Sequence, residues 1–162
     1  MNNYLDIIID ILENEQFKKL SNYSHHGDNR KNHCIRVSYY SYKISKKLNL
    51  DYESVARAGL LHDFFLVDYK SLNILEGIKL LINHPKIALN NSKNYFDISK
   101  KEENIIYSHM FPIRISLPKN RESIIVNFVD KSLAFYERFQ SIKNTLINKE
   151  NKTSRLEELY NY

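Results

Sequence analysis

The chain has 162 residues, of which 43% are apolar and 27% charged, as in an ordinary globular protein of one domain. Its one cysteine, Cys34, excludes an internal disulfide and fits a reducing compartment, and no apolar run reaches the roughly 18 residues of a bilayer span. The net charge of +5 favours an anionic, phosphate-bearing ligand, whereas the scattered basic residues do not predict a nucleic-acid partner.

The N-terminal segment carries acidic residues inside its apolar stretch and has no basic start, so it does not predict a secretory signal. We therefore expect a cytoplasmic protein without a membrane partner. Apolar residues recur at helical spacing almost throughout, which predicts an all-α, single-domain bundle. The core is expected at about 20–140, and residues 141–162 form a charged tail that is either a solvated helix or a frayed end. Whether the chain forms a homo-oligomer stays open.

The first half of the chain predicts three helices. The first runs from about Asn3 to Leu20, with one apolar face made by Leu5, Ile8, Ile9 and Leu12. After a polar break containing Gly27, the second covers about 31–48, with an inward face made by Val37, Tyr40, Ile44 and Leu48. Asp51 is a suitable N-cap for the third, which ends near His62.

The second half predicts four more helices. One spans about 72–82, and Pro85 favours a new helix start with His84 at the N-cap, continuing to Tyr95. Ser99 and Glu102 match a capping box that opens a helix ending near His109. The proline-containing stretch 110–118 is predicted to be a loop, and the last helix starts near Asn120.

Histidines and carboxylates mark these predicted helix ends. His33, His62, His84 and His109 follow one another along the chain, and Asp63 comes directly after His62. Asp130 lies within the last apolar helix, where an unpaired carboxylate would be costly to bury. A metal ion would compensate it, as would a cation such as Arg36 or Lys131, unless the helix turns Asp130 outward. Imidazole and carboxylate ligands together suit Fe, Mn, Zn or Co.

The segments Ala58-Gly59-Leu60-Leu61-His62-Asp63 and Val129-Asp130, with His33 one helix earlier, resemble the HD-domain superfamily, which is named for its His-Asp doublet. The resemblance covers about two thirds of the chain. It implies a helical metal-dependent phosphohydrolase in which one metal is bound by His33, His62, Asp63 and Asp130. His84 and His109 resemble the two further histidines of binuclear members, which would bind a second metal bridged by Asp63. We therefore expect one or two divalent ions, with two favoured.

The sequence departs from relatives that carry a basic residue soon after the doublet, because Phe64-Phe65-Leu66 stands there. Phosphate contact must come from elsewhere, and the candidates are Arg36, Arg114, Lys119 and Lys131. Asp68 is a candidate general acid or base, although a loop carboxylate is the simpler interpretation. By resemblance His26 would lie at the pocket mouth, while an exposed loop histidine is the default. No Gly-Tyr-Pro string is present, so cyclic-di-GMP hydrolysis is not assigned.

The expected activity is hydrolysis of a phosphomonoester or phosphodiester, in a nucleotide or a related small anion, because a bound metal makes hydroxide available at neutral pH. Two alternatives remain at this point. Some HD proteins with a similar ligand set use two irons to activate O₂ and cleave a C–C or C–P bond. A non-catalytic sensor would bind metal or nucleotide without turnover. The ligand types alone do not separate these three functions.

Overall fold

The structure is a computed structural model that describes residues 3–25 and 28–160. This part of the chain is almost entirely helical, which confirms the predicted all-α class. The helices are α1 (Tyr4–Glu13), α2 (Glu15–Lys18), α3 (Arg30–Lys47), α4 (Tyr52–Leu61), α5 (Ile74–Tyr95), α6 (Lys100–Ser108) and α7 (Arg121–Tyr160). A two-stranded antiparallel pair, β1 (Ser24–His25) and β2 (Asp28–Asn29), precedes α3.

Side-chain caps determine where several helices begin. The Asp51 carboxylate accepts from the Ser54 amide and starts α4, and Ser99 with Glu102 forms a capping box that starts α6, both as the sequence predicts. The single first helix predicted for 3–20 is wrong. Asn14 interrupts it, because its side chain accepts the Gln16 and Phe17 amides and so begins α2 as a separate turn.

Among the described helices, α3 and α4 share the most extensive contact. Helix α3 also packs on α7, and α4 also contacts α1 and α6. Gly59 permits the approach of α3 to α4, since a Cβ built there would lie 3.0 Å from the Ser38 Cα. The hydrophobic core, which includes Ile8, Ile11 and Val37, lies between these helices.

The predicted inward faces of the first two helices are partly wrong. Leu5 and Ile9 of α1 are 53% and 44% exposed, while Ile7, Ile8 and Ile11 are buried. On α3, Val37 is buried as predicted, but Tyr40, Ile44 and Leu48 are exposed. The buried face of α3 is instead rich in small polar residues, namely Ser38, Ser41 and Ser45. Small side chains are needed there because the backbone of α4 approaches so closely.

Pro85 does not start a new helix, contrary to the prediction. It lies inside the continuous helix α5, so His84 is a mid-helix residue and not an N-cap. A proline removes one backbone donor and disturbs the preceding turn. In that turn the Arg114 guanidinium donates to the Ile82 carbonyl at 2.8 Å, which supplies a hydrogen bond from outside the helix.

Helix α7 begins after Asn120, whose side chain accepts from the Ser123 amide, and continues to Tyr160. The tail predicted to be either helical or frayed is therefore helical as far as the structure describes it. Among the described residues, no helix combines the length and the apolar character needed to cross a bilayer.

Candidate metal centre

The six predicted ligands come together in the interior of the bundle. His33 lies in the first turn of α3, His62 and Asp63 directly follow α4, and His109 directly follows α6. His84 and Asp130 project from within α5 and α7. All six side chains are buried.

Three of them, which we call the inner group, are His33, His62 and Asp130. The Asp130 Oδ1 lies 3.0 Å from His33 Nε2 and 3.4 Å from His62 Nε2. One carboxylate oxygen is thus placed between two imidazole nitrogens that come from different helices.

The other three, the outer group, are Asp63, His84 and His109. The Nε2 atoms of His84 and His109 are 2.9 Å apart, and Asp63 Oδ1 lies 3.2 Å from the first and 3.5 Å from the second. The other carboxylate oxygen, Asp63 Oδ2, lies 3.9 Å from His62 Nε2 of the inner group. Asp63 therefore stands between the two groups, where a bridging ligand is expected.

Ligand atoms within 4.8 Å of one another also connect the groups. Such sets are formed by His33, His62 and Asp63, by Asp63, His84 and His109, and by His62, His109 and Asp130. The last set takes members from both groups, so the geometry allows more than one division of the ligands between two ions.

The tautomers of two histidines suit metal binding. His62 Nδ1 donates to the Gly59 carbonyl and His109 Nδ1 donates to the Ile106 carbonyl, each at 2.8 Å. In both cases a histidine just after a helix reaches back to a carbonyl of the last turn, which has no partner within the helix. In its neutral form each ring presents an unprotonated Nε2 towards carboxylate oxygens. Although burial opposes it, Asp63 and Asp130 raise the pKa of His62, so without a metal its Nε2 favours a proton. Two lone pairs facing each other repel, and a cation between them removes the repulsion.

The ionisation states of the two carboxylates and of His109 also favour the binding of a cation. Burial opposes ionisation of the two carboxylates, yet the neighbouring histidines hold the pKa of Asp63 and of Asp130 well below the usual range. Burial lowers the pKa of His109 and favours its neutral form. The cluster thus combines ionised oxygen ligands with imidazole nitrogens, the mixture preferred by Fe, Mn, Zn and Co. The residues present therefore fit a divalent metal.

Glu137 is a supporting residue that the sequence analysis missed. Its Oε2 accepts from His33 Nδ1 at 2.9 Å, and its Oε1 accepts from the Arg36 guanidinium at 2.8 Å. Although burial opposes it, the contacts with Asp130 and Glu137 raise the pKa of His33 to about 10. Ligand histidines commonly carry such a carboxylate on their second nitrogen. The available signal was the spacing, because Glu137 follows Asp130 by seven residues and so lies on the same face of α7.

Arg30 is a second residue that the sequence analysis missed. It is fully buried, stacks on the Phe65 ring at 3.6 Å from its centroid, and donates to the Phe65 and Val67 carbonyls. It thereby fixes the segment that follows the His-Asp doublet. Cys34 is buried, and burial is the main cause that raises the pKa of its thiol.

A cavity of about 470 Å³ opens over the cluster. Its floor includes all of the outer group and Asp130, and its walls include Lys131, which was predicted to bind substrate. The Lys131 Nζ donates to the His109 carbonyl at 2.8 Å, and burial lowers its pKa. Asn127 donates to the same carbonyl at 2.6 Å. These contacts hold the turn after α6 against α7.

The other predicted substrate-binding residues do not line this cavity. Arg36 pairs with Asp28 and with Glu137 behind His33. Arg114 stacks on the Tyr107 ring and donates to its hydroxyl. Lys119 is exposed on the loop before α7. His26 lies outside the described residues.

Asp68 was predicted as a general acid or base. It lies half-buried on the segment after α4, five residues beyond Asp63, and it is not among the residues that line the cavity. Its role stays a prediction.

Comparison with known proteins gives one match. The sequence profile of the HD domain matches residues 30–134, which is more than half of the chain and includes all six predicted ligands. No curated protein and no solved structure matches significantly. With the fold, the His-Asp doublet and the profile in agreement, this chain belongs to the HD-domain family.

Proposed function

We propose that the protein is a metal-dependent phosphohydrolase that cleaves a phosphomonoester or a phosphodiester. HD domains are typical of metal-dependent phosphohydrolases. The observation that carries the proposal is the position of Asp63, whose two oxygens face the inner and the outer histidines at the floor of an open cavity. We propose that this cluster takes two divalent ions. Bound divalent metals would lower the pKa of water towards neutrality and polarise phosphoryl oxygens.

The residues of the chain prepare the site for this chemistry. The Gly59 and Ile106 carbonyls keep the proton of His62 and of His109 on Nδ1, so both rings keep Nε2 for a ligand bond. Glu137 does the same for His33. Although burial opposes it, the neighbouring carboxylates raise the pKa of His33 and of His62 in the absence of a metal, so a metal that binds at these rings would displace a proton from Nε2.

Lys131 would be the cation nearest to an incoming phosphate. It lines the cavity next to Asp130, and its ammonium is anchored on the His109 carbonyl. A positive charge that is already held in place stabilises developing negative charge without reorganisation. Asp68 stays a candidate for proton transfer to the leaving group.

The test is hydrolysis of p-nitrophenyl phosphate and bis-p-nitrophenyl phosphate by the full chain loaded separately with Mn²⁺, Zn²⁺ and Fe²⁺. We expect turnover with at least one metal, lost on chelation and lost in the double variant His62→Ala/Asp63→Ala. The matched control is Asp97→Ala, an exposed carboxylate away from the cluster, which should keep full activity. Turnover that survives both chelation and the double variant would contradict the proposal, as would no turnover with any metal.

A further inference from the structure

The walls of the cavity are apolar. Above the ligands they consist of Leu81 from α5, Met110 and Ile113 from the turn after α6, and Ala134 from α7, with the ring of Tyr69 closing one side. Apart from the ligands themselves, Lys131 is the one charged residue among the described residues that line it. The cavity volume of about 470 Å³ lies in the usual range of small-molecule sites, about 300–1,000 Å³.

Among the described residues, three arginines that could pair with a polyphosphate are engaged elsewhere. The guanidinium of Arg114 is bound to the Ile82 carbonyl and to the Tyr107 hydroxyl, and that of Arg36 is bound to two carboxylates. Arg30 is buried under the segment that follows the doublet. Among the described lining residues, a second or third phosphate would therefore meet Leu81 and Ile113 and no further cation, and burying unpaired polar groups is unfavourable.

The hydroxyl groups of a sugar would also find few hydrogen-bond partners among the described residues that line the cavity. Besides Lys131, the walls offer the Tyr69 hydroxyl, whose pKa is raised to about 12 by burial and by Asp63, so that it remains a neutral donor. A ribose and a base carry more polar atoms than these groups can satisfy. An alkyl or aryl group makes no such demand and removes apolar wall from water.

We propose that the substrate is a phosphate monoester whose alcohol part is an apolar alkyl or aryl group, and not a sugar phosphate or a polyphosphate. The inference rests on the proposed function, because the phosphate is assigned to the metal and to Lys131. The apolar wall also continues outward along α5. Ile78 lies one turn before Leu81 on the same helix face and is 50% exposed, which gives a longer chain further surface to cover.

The test is calorimetric binding of n-alkylphosphonates, which are not hydrolysed, to the Mn²⁺-loaded full chain. Methyl-, butyl- and octylphosphonate are compared with inorganic phosphate and with adenosine monophosphate. Affinity should rise with chain length by up to about fourfold per buried methylene, and octylphosphonate should bind more tightly than the nucleotide. Affinity that does not depend on chain length, or tighter binding of the nucleotide, would overturn the inference.

Paired variants test the wall directly. Ile113 lines the cavity and is 58% exposed, so Ile113→Asp should fold and should flatten the dependence on chain length. Ile115 lies on the same loop, is 96% exposed and is not a lining residue, so Ile115→Asp should leave that dependence unchanged. Equal effects of the two substitutions would contradict the placement of the alkyl group.

Lys131→Met should weaken all ligands by a similar factor, inorganic phosphate included, because the ammonium is assigned to the phosphate. Failure of the inference is distinguishable from failure of the proposed function. If phosphate binds and p-nitrophenyl phosphate is hydrolysed while chain length has no effect, the substrate inference alone fails. If metal binds but neither phosphate binding nor hydrolysis is detected, both fail.

Discussion

The inner and outer groups of the candidate metal centre differ in how the protein supports them. His33 and His62 each have a fixed partner on Nδ1, and neither lines the cavity. All three members of the outer group line the cavity, and His84 Nδ1 makes no hydrogen bond within the part of the chain that the structure describes. We therefore propose that the inner group holds a metal and that the outer group meets an incoming ligand.

The helices behind the two groups show the same contrast. The inner histidines come from α3 and α4, which pack closely at Gly59. The outer His84 comes from α5, whose N-terminal half exposes Ile74, Leu75 and Ile78. A Cβ at Gly77 in this half would meet no atom within 4 Å. Packing in the bundle thus becomes looser from the inner group to the outer group.

The largest expected effect is a difference in metal content between a variant of the inner group and a variant of the outer group. His33→Ala should remove nearly all bound metal, because it breaks the inner group and leaves Asp130 and Glu137 without their common partner. His84→Ala should keep about one equivalent, held by the inner ligands and Asp63. Elemental analysis of the two purified variants, with wild type beside them, measures the difference. An equal loss in both variants would remove the distinction between the groups.

The next effect concerns the segment that carries Asp63 between the groups. Arg30→Met keeps the apolar stem but leaves the Phe65 and Val67 carbonyls without their donor. Each unsatisfied buried carbonyl costs about 1–3 kcal/mol, so we expect the free energy of unfolding to fall by about 2–4 kcal/mol in a urea titration. The control is Arg138→Met, at an exposed position of α7, which should unfold like wild type. Equal midpoints for the two variants would contradict this role for Arg30.

A smaller effect is expected from Glu137→Gln, which weakens the hydrogen bond to His33 without emptying the site. Loss of such a supporting carboxylate typically costs about 10- to 100-fold in metal affinity. Competition with a chromogenic chelator measures the affinity, and the inner metal should be the weakened one. Glu13→Gln, an exposed acid at the end of α1, is the matched control. Unchanged affinity in Glu137→Gln would show that His33 does not need its partner.

The smallest expected effect compares the two glycines. Gly59→Ala places a methyl group 3.0 Å from the Ser38 Cα, and such overpacking should lower the free energy of unfolding by about 1–3 kcal/mol. Gly77→Ala fills open space inside α5 and should raise it by about 0.5–1 kcal/mol. Thermal and urea unfolding of both variants measures whether the free energy of unfolding falls or rises in each. A shift of the same sign in both would contradict the packing contrast between α4 and α5.

Local chemistry explains which parts of this molecule the sequence could predict. The caps at Asp51 and Ser99 depend on residues three positions apart, so their helices were predicted correctly. The HD-domain assignment depended on a short adjacent string, His62-Asp63, and was confirmed by the profile match. The grouping of the six ligands followed from the family resemblance, and no single residue type would have predicted it.

The parts that could not be predicted depend on tertiary contacts. The buried face of α3 carries serines because α4 approaches closely, and an apolar pattern selects Tyr40 and Ile44 instead. Arg30 is buried by stacking on Phe65, 35 residues away in the sequence. Glu137 acquires its role from His33 on another helix. None of these partners is visible within a short window of sequence.

We propose that the cluster binds two metal ions, and metal stoichiometry tests this proposal most directly. The full chain would be purified without added metal or chelator, together with His62→Ala/Asp63→Ala, and its metal content measured by mass spectrometry. We predict about two equivalents of Fe, Mn or Zn per chain, lost in the double variant. Iron with oxygen-dependent turnover would direct the search towards an oxygenase. No bound metal, and none taken up when Mn²⁺ or Fe²⁺ is supplied, would contradict the claim.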